Sequence, residues 1–278
     1  MKKYLEHYQN PGGTFPLSWM DELPLWSAPF GLKLLEMIRM SSQTNLLDIG
    51  FGFGFPLLEA AMRMGEQAKA FGIDPWDLAI EKTSEKIKYY GLKNVEIVKG
   101  VAENLPYAND FFDLVISNNG INNVTDIPAT FSECYRVAKP GAQFVFTMNL
   151  DTTMKEFYKV FKKVLKENDL HDSIEQLNTH IYEKRKPVKY MKKWLKKSGF
   201  EISKLSIDSF SYRFSDGTAM LNHYFIRFGF LDAWVKMLPP DRMEEIFDQV
   251  ERRLNKMAAN EGELRITIPF ATFDCEKK

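Results

Sequence analysis

Three glycines at alternate positions, Gly50, Gly52 and Gly54, close the apolar run Leu46-Leu47-Asp48-Ile49. Glycine lets the backbone turn through positive φ and lets a ligand approach the main chain without meeting a Cβ. A helical run, Pro56 to Met64, follows, so its first unpaired N–H groups look into the same turn. A nucleotide-like cofactor suits that chemistry. The dinucleotide fingerprint asks for G-x-G-x-x-G, and its third glycine would fall at Phe55, so the spacing disfavours a nicotinamide cofactor. Asp48 has two readings: it contacts the cofactor, or it satisfies nearby main-chain N–H groups. Further on, Ala70-Phe71-Gly72-Ile73 ends in a second carboxylate, Asp74. One carboxylate there can hold both hydroxyls of a ribose; otherwise Asp74, followed by Pro75, caps the next helix. Trp76 offers an aromatic face to a purine, or packs in the core.

The elements that must position these residues alternate regularly. A helix from Asp77 to Tyr90 stops at Gly91, a normal residue just past a helix end. Val95 to Val98 is a third strand, followed by the loop Gly100 to Pro106. A fourth strand, Phe112 to Ser117, opens into Asn118-Asn119-Gly120-Ile121-Asn122-Asn123. A helix from about Asp126 reaches Val137, and a fifth strand runs from Gln143 to Met148. Alternation of this kind makes a parallel sheet covered on both faces, with ligands held at the carboxyl ends of the strands. Asn118, Asn119, Asn122 and Asn123 stand at such an end, as a site or as plain turn chemistry.

Four blocks now carry a family resemblance: the glycine turn, the strand ending at Asp74, Gly100–Pro106 before Phe112-Asp113, and Arg136-Val137-Ala138-Lys139-Pro140-Gly141. In their order and spacing over residues 45 to 150 they resemble class I S-adenosylmethionine (SAM)-dependent methyltransferases, of the branch with ubiquinone/menaquinone-type and other small-molecule enzymes. The resemblance implies an α/β fold: a doubly wound, seven-stranded, mostly parallel Rossmann-like sheet in the order 3-2-1-4-5-7-6. It implies SAM as cofactor. Gly50, Gly52 and Gly54 would pass under its methionine part, Asp74 would bind the ribose, and Trp76 would flank the adenine. Ala102, through its main chain, and Glu103 would meet the adenine edge, and the Asn118 carbonyl the methionine amino group. The family often has an acid where this chain has Val101, which leaves the adenine amino group to Glu103 or a main-chain carbonyl.

Flanking segments should set the acceptor. Residues 1–40 are expected to form a helical lid, with Trp19, Leu23, Leu25, Trp26 and Phe30 ahead of a helix from Leu32 to Met40; Trp26 and Phe30 are candidate acceptor contacts, with Asn119, Asn122 and Asn123. Residues 41–278 are expected to form the methyltransferase domain. Within it Thr152 to Asn168 and Lys189 to Gly199 have helical spacing with lysines opposite the apolar side. The second lysine face is read as solvated, with attachment to a membrane surface as the alternative. Strand six is Phe200 to Phe214 and strand seven Leu264 to Phe273, where Pro269 is awkward for an interior strand. Between them, at about 215–262, lies a helical cap: one helix from Thr218 to Leu238, too apolar for a free surface, and another from Asp241 to Ala259. It covers the active-site mouth or makes a homodimer contact.

Composition narrows the classes. Lys+Arg and Asp+Glu number 37 each in 278 residues, so no basic excess speaks for nucleic acid. The N-terminus lacks the apolar run of a secretory signal or membrane span. Cys134 and Cys275 are too far apart for a metal or redox motif, and no metal site is expected; a cytoplasmic location is the default. Methyl transfer from a sulfonium is an in-line displacement that asks mostly for positioning, which contributes roughly 7–11 kcal/mol. Where a base is needed, His223 in the cap is the candidate, against a structural role on its helix. His180 and Tyr182 are weaker ones, and Tyr224 and Arg227 are candidate acceptor contacts. A SAM-dependent methyltransferase acting on an apolar or aromatic small molecule leads, favoured by 22 Phe. A nicotinamide-dependent oxidoreductase and a non-catalytic SAM-binding partner protein are the alternatives.

Overall fold

A computed structural model describes residues 2–5 and 23–278. Among the described residues seven strands, β1 (Asn45–Ile49), β2 (Lys69–Asp74), β3 (Val95–Lys99), β4 (Phe112–Asn118), β5 (Ala138–Asn149), β6 (Phe200–Phe214) and β7 (Leu264–Lys277), form one sheet. Their order is β3-β2-β1-β4-β5-β7-β6, the order the resemblance implied. β1 (Asn45–Ile49) lies parallel to β2 (Lys69–Asp74) on one side and to β4 (Phe112–Asn118) on the other. β3 (Val95–Lys99) pairs with β2, and β5 (Ala138–Asn149) with β4, again in parallel. The chain leaves β1 in one direction to build β2 and β3, then crosses back to β4. The carboxyl ends of β1 and β4 are therefore the switch point at which open α/β sheets hold their ligands.

The central strands read as near-continuous apolar runs because helices cover both faces. Leu46, Ala70, Leu114, Ile116 and Val145 pack under the helices Leu23–Met37 and Leu57–Met64. Their neighbours Leu47, Ile49, Phe71, Ile73 and Phe144 face the helices Ile127–Val137 and Val188–Ser198. The helix Asp77–Tyr90 has the expected bounds and ends at Gly91, φ +66°. Asp126 caps the helix Ile127–Val137 through Oδ1, which accepts from Ala129 N at 2.9 Å.

By contacts the chain divides into two units. The first comprises Pro24–Leu150, Arg185–Asp208 and Phe270–Lys278. The second comprises Met1–Leu23, Asp151–Lys184 and Ser209–Pro269. In the second, the helix Lys155–Glu167 buries Phe157, Phe161 and Leu165. Phe157 stacks on the fully buried Trp234 with centroids 3.9 Å apart, and Trp234 Nε1 donates to Tyr158 Oη at 3.3 Å. Tyr4 donates to Glu251 Oε2 at 2.8 Å. The helix Met243–Glu261 buries Phe247, Val250 and Leu254. This unit thus draws on more of the chain than the 215–262 segment.

Three expectations need correction. The N-terminal helix is Leu23–Met37 rather than Leu32 to Met40. Pro24 falls in its first turn, where the missing N–H has no partner in any case, and Pro29 withholds only one donor, so the helix starts earlier than two prolines ahead of Leu32 suggest. Trp19 lies outside the described residues. The long cap helix is broken: Gly217–Asn222 ends where His223 turns extended at φ −63°, ψ 131°. A wide-turned segment, Arg227–Leu231, then leads into Asp232–Lys236. Hydrophobic spacing survives such a slip in phase, so the break left no mark in it. Last, β5 and β7 are longer than expected, at Ala138–Asn149 and Leu264–Lys277. β7 runs antiparallel to β5 with Asn149 opposite Phe270 as the last pair, so Pro269 falls just outside that ladder. It therefore withholds no hydrogen bond from β5.

Candidate active site

Gly50, Gly52 and Gly54 have φ of +73°, +54° and +94°, a left-handed turn that costs other residues about 1–2 kcal/mol apiece. Gly52 is the open one, since a Cβ there would meet no protein atom within 4 Å. Its N–H donates to Asp74 Oδ2 at 2.9 Å and its carbonyl accepts from Thr83 Oγ1 at 3.0 Å. Lys86 Nζ donates to the Phe53 carbonyl at 2.9 Å. The helix Asp77–Tyr90 thereby pins the turn, a role for Thr83 and Lys86 that no motif signals.

Asp48 is fully buried, and neither carboxylate oxygen has a hydrogen-bond partner among the described residues. Burial first, and the charge of Asp74 second, push its carboxyl well above the usual range; the Leu57 N–H pulls the other way without reaching hydrogen-bond geometry. Asp74 is also buried, but each of its oxygens takes a main-chain N–H, from Gly52 and from Trp76 at 3.0 Å. Burial raises its pKa and those two bonds oppose the shift. The cap position of the following helix belongs to Trp76, with extended backbone, and not to Asp74. Asp74 instead ties the glycine turn to the end of β2, and each oxygen keeps a second lone pair. Trp76 is 55% exposed, which removes core packing as its reason.

The loops after β3 and β4 are held by their own side chains. Ala102 is buried in the core. Glu103 Oε1 accepts from Thr125 N at 2.7 Å and Asp126 N at 3.1 Å, so this oxygen closes the loop ahead of the helix Ile127–Val137. Arg136 donates to the carbonyls of Leu105 at 2.9 Å and Tyr107 at 2.7 Å, and pairs with Glu133. Two blocks of the resemblance are thus one clamp. Gly120 is pressed against the glycine turn: a Cβ on it would lie 2.5 Å from the Ile49 carbonyl and 2.6 Å from Ser117 Oγ.

Asn118 Oδ1 accepts from Thr147 Oγ1 at 2.8 Å, while its Nδ2 donates to the Ser27 carbonyl at 3.0 Å. The helix Leu23–Met37 is thereby fastened to the carboxyl end of β4, within the first unit. Phe30 is fully buried, edge-on to Phe270 at 4.8 Å, and half-buried Trp26 lies 5.6 Å from Phe30. Asn119 has φ +63°, and its Oδ1 accepts from Asn122 Nδ2 at 2.6 Å and from Asn149 N at 3.2 Å. Asn123 Nδ2 reaches the Asn119 carbonyl at 3.4 Å. The structure thus brings Asp48, the glycines, Asp74, Trp76 and the asparagines to one end of the sheet. Asn149 and Thr147 join them, and only the knowledge of where β5 ends would have found these two.

His223, Tyr224 and Arg227 belong to the second unit. The His223 Nδ1 is buried without a partner among the described residues, and burial lowers the imidazole pKa. Its ring is 5.5 Å from Phe214 and 4.6 Å from Tyr224. His180 stands on the helix His171–Lys184 of the same unit, with Tyr182 exposed.

A family model described as a methyltransferase domain matches residues 40–206, more than half of the chain. The chain belongs to this methyltransferase-domain family. It is similar to the demethylmenaquinone methyltransferase of Listeria welshimeri, 30% identical over 150 residues, which cover 49% of this chain and 64% of that protein. The chain therefore spans less than two thirds of that relative's length. The demethylmenaquinone methyltransferase of Staphylococcus saprophyticus is 26% identical over 191 residues, covering 64% of this chain and 78% of that protein. In fold the family member resembles a putative methyltransferase from Bacillus halodurans, with a TM-score of 0.58 at 19% identity, covering 89% of this chain and 98% of the other. Among the described residues no helix is long and apolar enough to cross a membrane.

Proposed function

We propose that this chain transfers a methyl group from SAM to an apolar or aromatic small molecule. One observation carries the reading: at the switch point, an open glycine turn is bonded directly to the carboxylate that ends the next strand. The residues suit the cofactor. Gly52 leaves room above the main chain, Asp74 keeps lone pairs for two sugar hydroxyls, and the exposed Trp76 supplies a face for the adenine. The unpartnered carboxyl of Asp48 suits a positively charged group such as the cofactor's amine. Asn118 would offer its main-chain carbonyl, and Ala102 its backbone, on either side. When bound, SAM supplies an activated methyl group on a sulfonium, and the protein's task is to hold the acceptor in line and exclude water. Phe55, standing where a dinucleotide loop needs glycine, speaks against a nicotinamide cofactor.

The acceptor class is supported by the relatives, both named for a demethylated quinone, and by the apolar helix Leu23–Met37 fastened to the end of β4. His223, desolvated and so held neutral at pH 7, is the proposed proton acceptor, with Tyr224 and Arg227 as acceptor contacts. The test is calorimetry with SAM, its demethylated product and NAD. Binding of both sulfur compounds with no response to NAD is expected. Binding of NAD alone would overturn the reading.

A further inference from the structure

Three of the asparagines around the ends of β4 and β5, Asn119, Asn122 and Asn149, are bonded in a way that leaves two acceptors over. The Asn149 main-chain N–H can only donate, so the Asn119 side-chain atom 3.2 Å away must be the oxygen. That oxygen also lies 2.6 Å from the side chain of Asn122, which must then present its Nδ2. The amide of Asn122 is therefore fixed in orientation, with its Oδ1 turned away from Asn119. This Oδ1 is buried and has no partner among the described residues, and the same holds for Oδ1 of Asn149. Two carbonyl oxygens, each one link from Asn119, thus stand without a donor just beyond β4 and β5. A buried acceptor with no donor costs about 1–3 kcal/mol. Neither oxygen serves the sheet, and both stand beside the end of β4 where the cofactor reading places the reaction.

From this we propose that Asn122 and Asn149 select the methyl acceptor by taking hydrogen bonds from its O–H or N–H groups. The inference rests on the methyltransferase reading and deepens it: the acceptor is an aromatic that carries donors, such as a hydroxylated ring, and not its oxidised or fully alkylated form. An acceptor without donors leaves the two oxygens buried and unpaired, which is how a polar site rejects the wrong partner strongly.

Two stable probes separate the cases in protein saturated with the demethylated cofactor product: 2,3-dihydroxynaphthalene, and 2,3-dimethoxynaphthalene, which has the same ring and no donor. Tryptophan fluorescence titration should show the diol binding at least tenfold more tightly. Asn122→Leu and Asn149→Leu should each shrink that preference at least fivefold, while Tyr89→Ala, at an exposed position on the helix Asp77–Tyr90, leaves it alone. Affinity for the cofactor product is measured alongside and should be unchanged in all three. Equal affinity for the two probes, no binding of the diol, or a preference that survives both leucine variants would overturn the inference, and a water held by the two oxygens would give the first of these. Failure of the wild-type protein to bind the cofactor product would instead sink the methyltransferase reading itself, and is seen before either probe is added. Should a leucine variant fail to fold, the wild-type comparison of the two probes still decides.

Discussion

Asp48 and Asp74 stand on neighbouring strands and differ in what they touch. Asp74 accepts two main-chain N–H groups, so removing it costs the turn and, on the proposed reading, the sugar contact. Asp74→Ala should weaken SAM binding by about ten- to a hundredfold, equivalent to roughly 1.4–2.8 kcal/mol, in calorimetry. Asp48 accepts none, and burial raises its pKa. The folded protein therefore keeps a proton that the unfolded chain releases once pH passes the ordinary carboxyl range. Stability from this group is greatest below that range and falls as pH rises towards the raised value, by up to about 1.4 kcal/mol per pH unit. Asp48→Asn should flatten most of that slope between pH 4 and 8, leaving a remnant from Asp74, whose pKa is shifted the same way. Urea unfolding at a series of pH values reads the slope, and identical slopes would exclude Asp48 as its origin. His223 is displaced in the opposite direction, so the acid limb of the pH–rate profile should lie below 6.5. His223→Ala should cut turnover by about 10²–10⁴-fold while SAM affinity holds; unchanged turnover would retire it as the base.

At the scale of elements, the loops after β1 and β4 meet backbone to backbone, and two glycines divide the work between them. Gly120 faces the Ile49 carbonyl, which cannot yield, so Gly120→Ala should cost about 1–3 kcal/mol in urea unfolding, the usual range for overpacking. Gly52 faces open space. Gly52→Ala should cost only the left-handed penalty, about 1–2 kcal/mol, yet should weaken SAM binding more than Gly120→Ala does per unit of lost stability. If Gly52→Ala binds SAM normally, the ligand does not pass over that turn. The same scale explains why motif residues are not all site residues. Arg136 lies far along the chain from the glycine turn, and its guanidinium holds the Leu105 and Tyr107 carbonyls that shape the loop after β3.

For the whole molecule, Lys+Arg and Asp+Glu balance at 37 each, so net charge adds no long-range pull and the predictions for SAM rest on local fit. A ligand that binds only the folded state stabilises it by about 2.7 kcal/mol at a hundred times its Kd. SAM and its demethylated product at that excess should raise Tm by a few degrees in calorimetric scans, and NAD should leave it unmoved. Trp234 anchors the core of the second unit on Phe157, and Trp234→Ala should cost about 3–5 kcal/mol.

The order of the sheet was legible through the family resemblance that four blocks carry, while the regular recurrence of strand, turn and helix signals by itself gave only the layered parallel class. The glycine turn was legible because positive φ admits few other residues, and the acid ending β2 because it closes an apolar run. Neither the orientation of the Asn122 amide nor the partners of Glu103 could be read from the chain, since both depend on donors brought from distant residues: Asn149 N–H for one, Thr125 and Asp126 for the other. Helix ends were misread wherever packing outvoted propensity, as at Pro29 and at His223. Local spacing determines which elements form and which corner stays bare. Tertiary structure alone decides which polar atoms at that corner are used up and which are left for a ligand, because a hydrogen bond is spent only when its partner arrives.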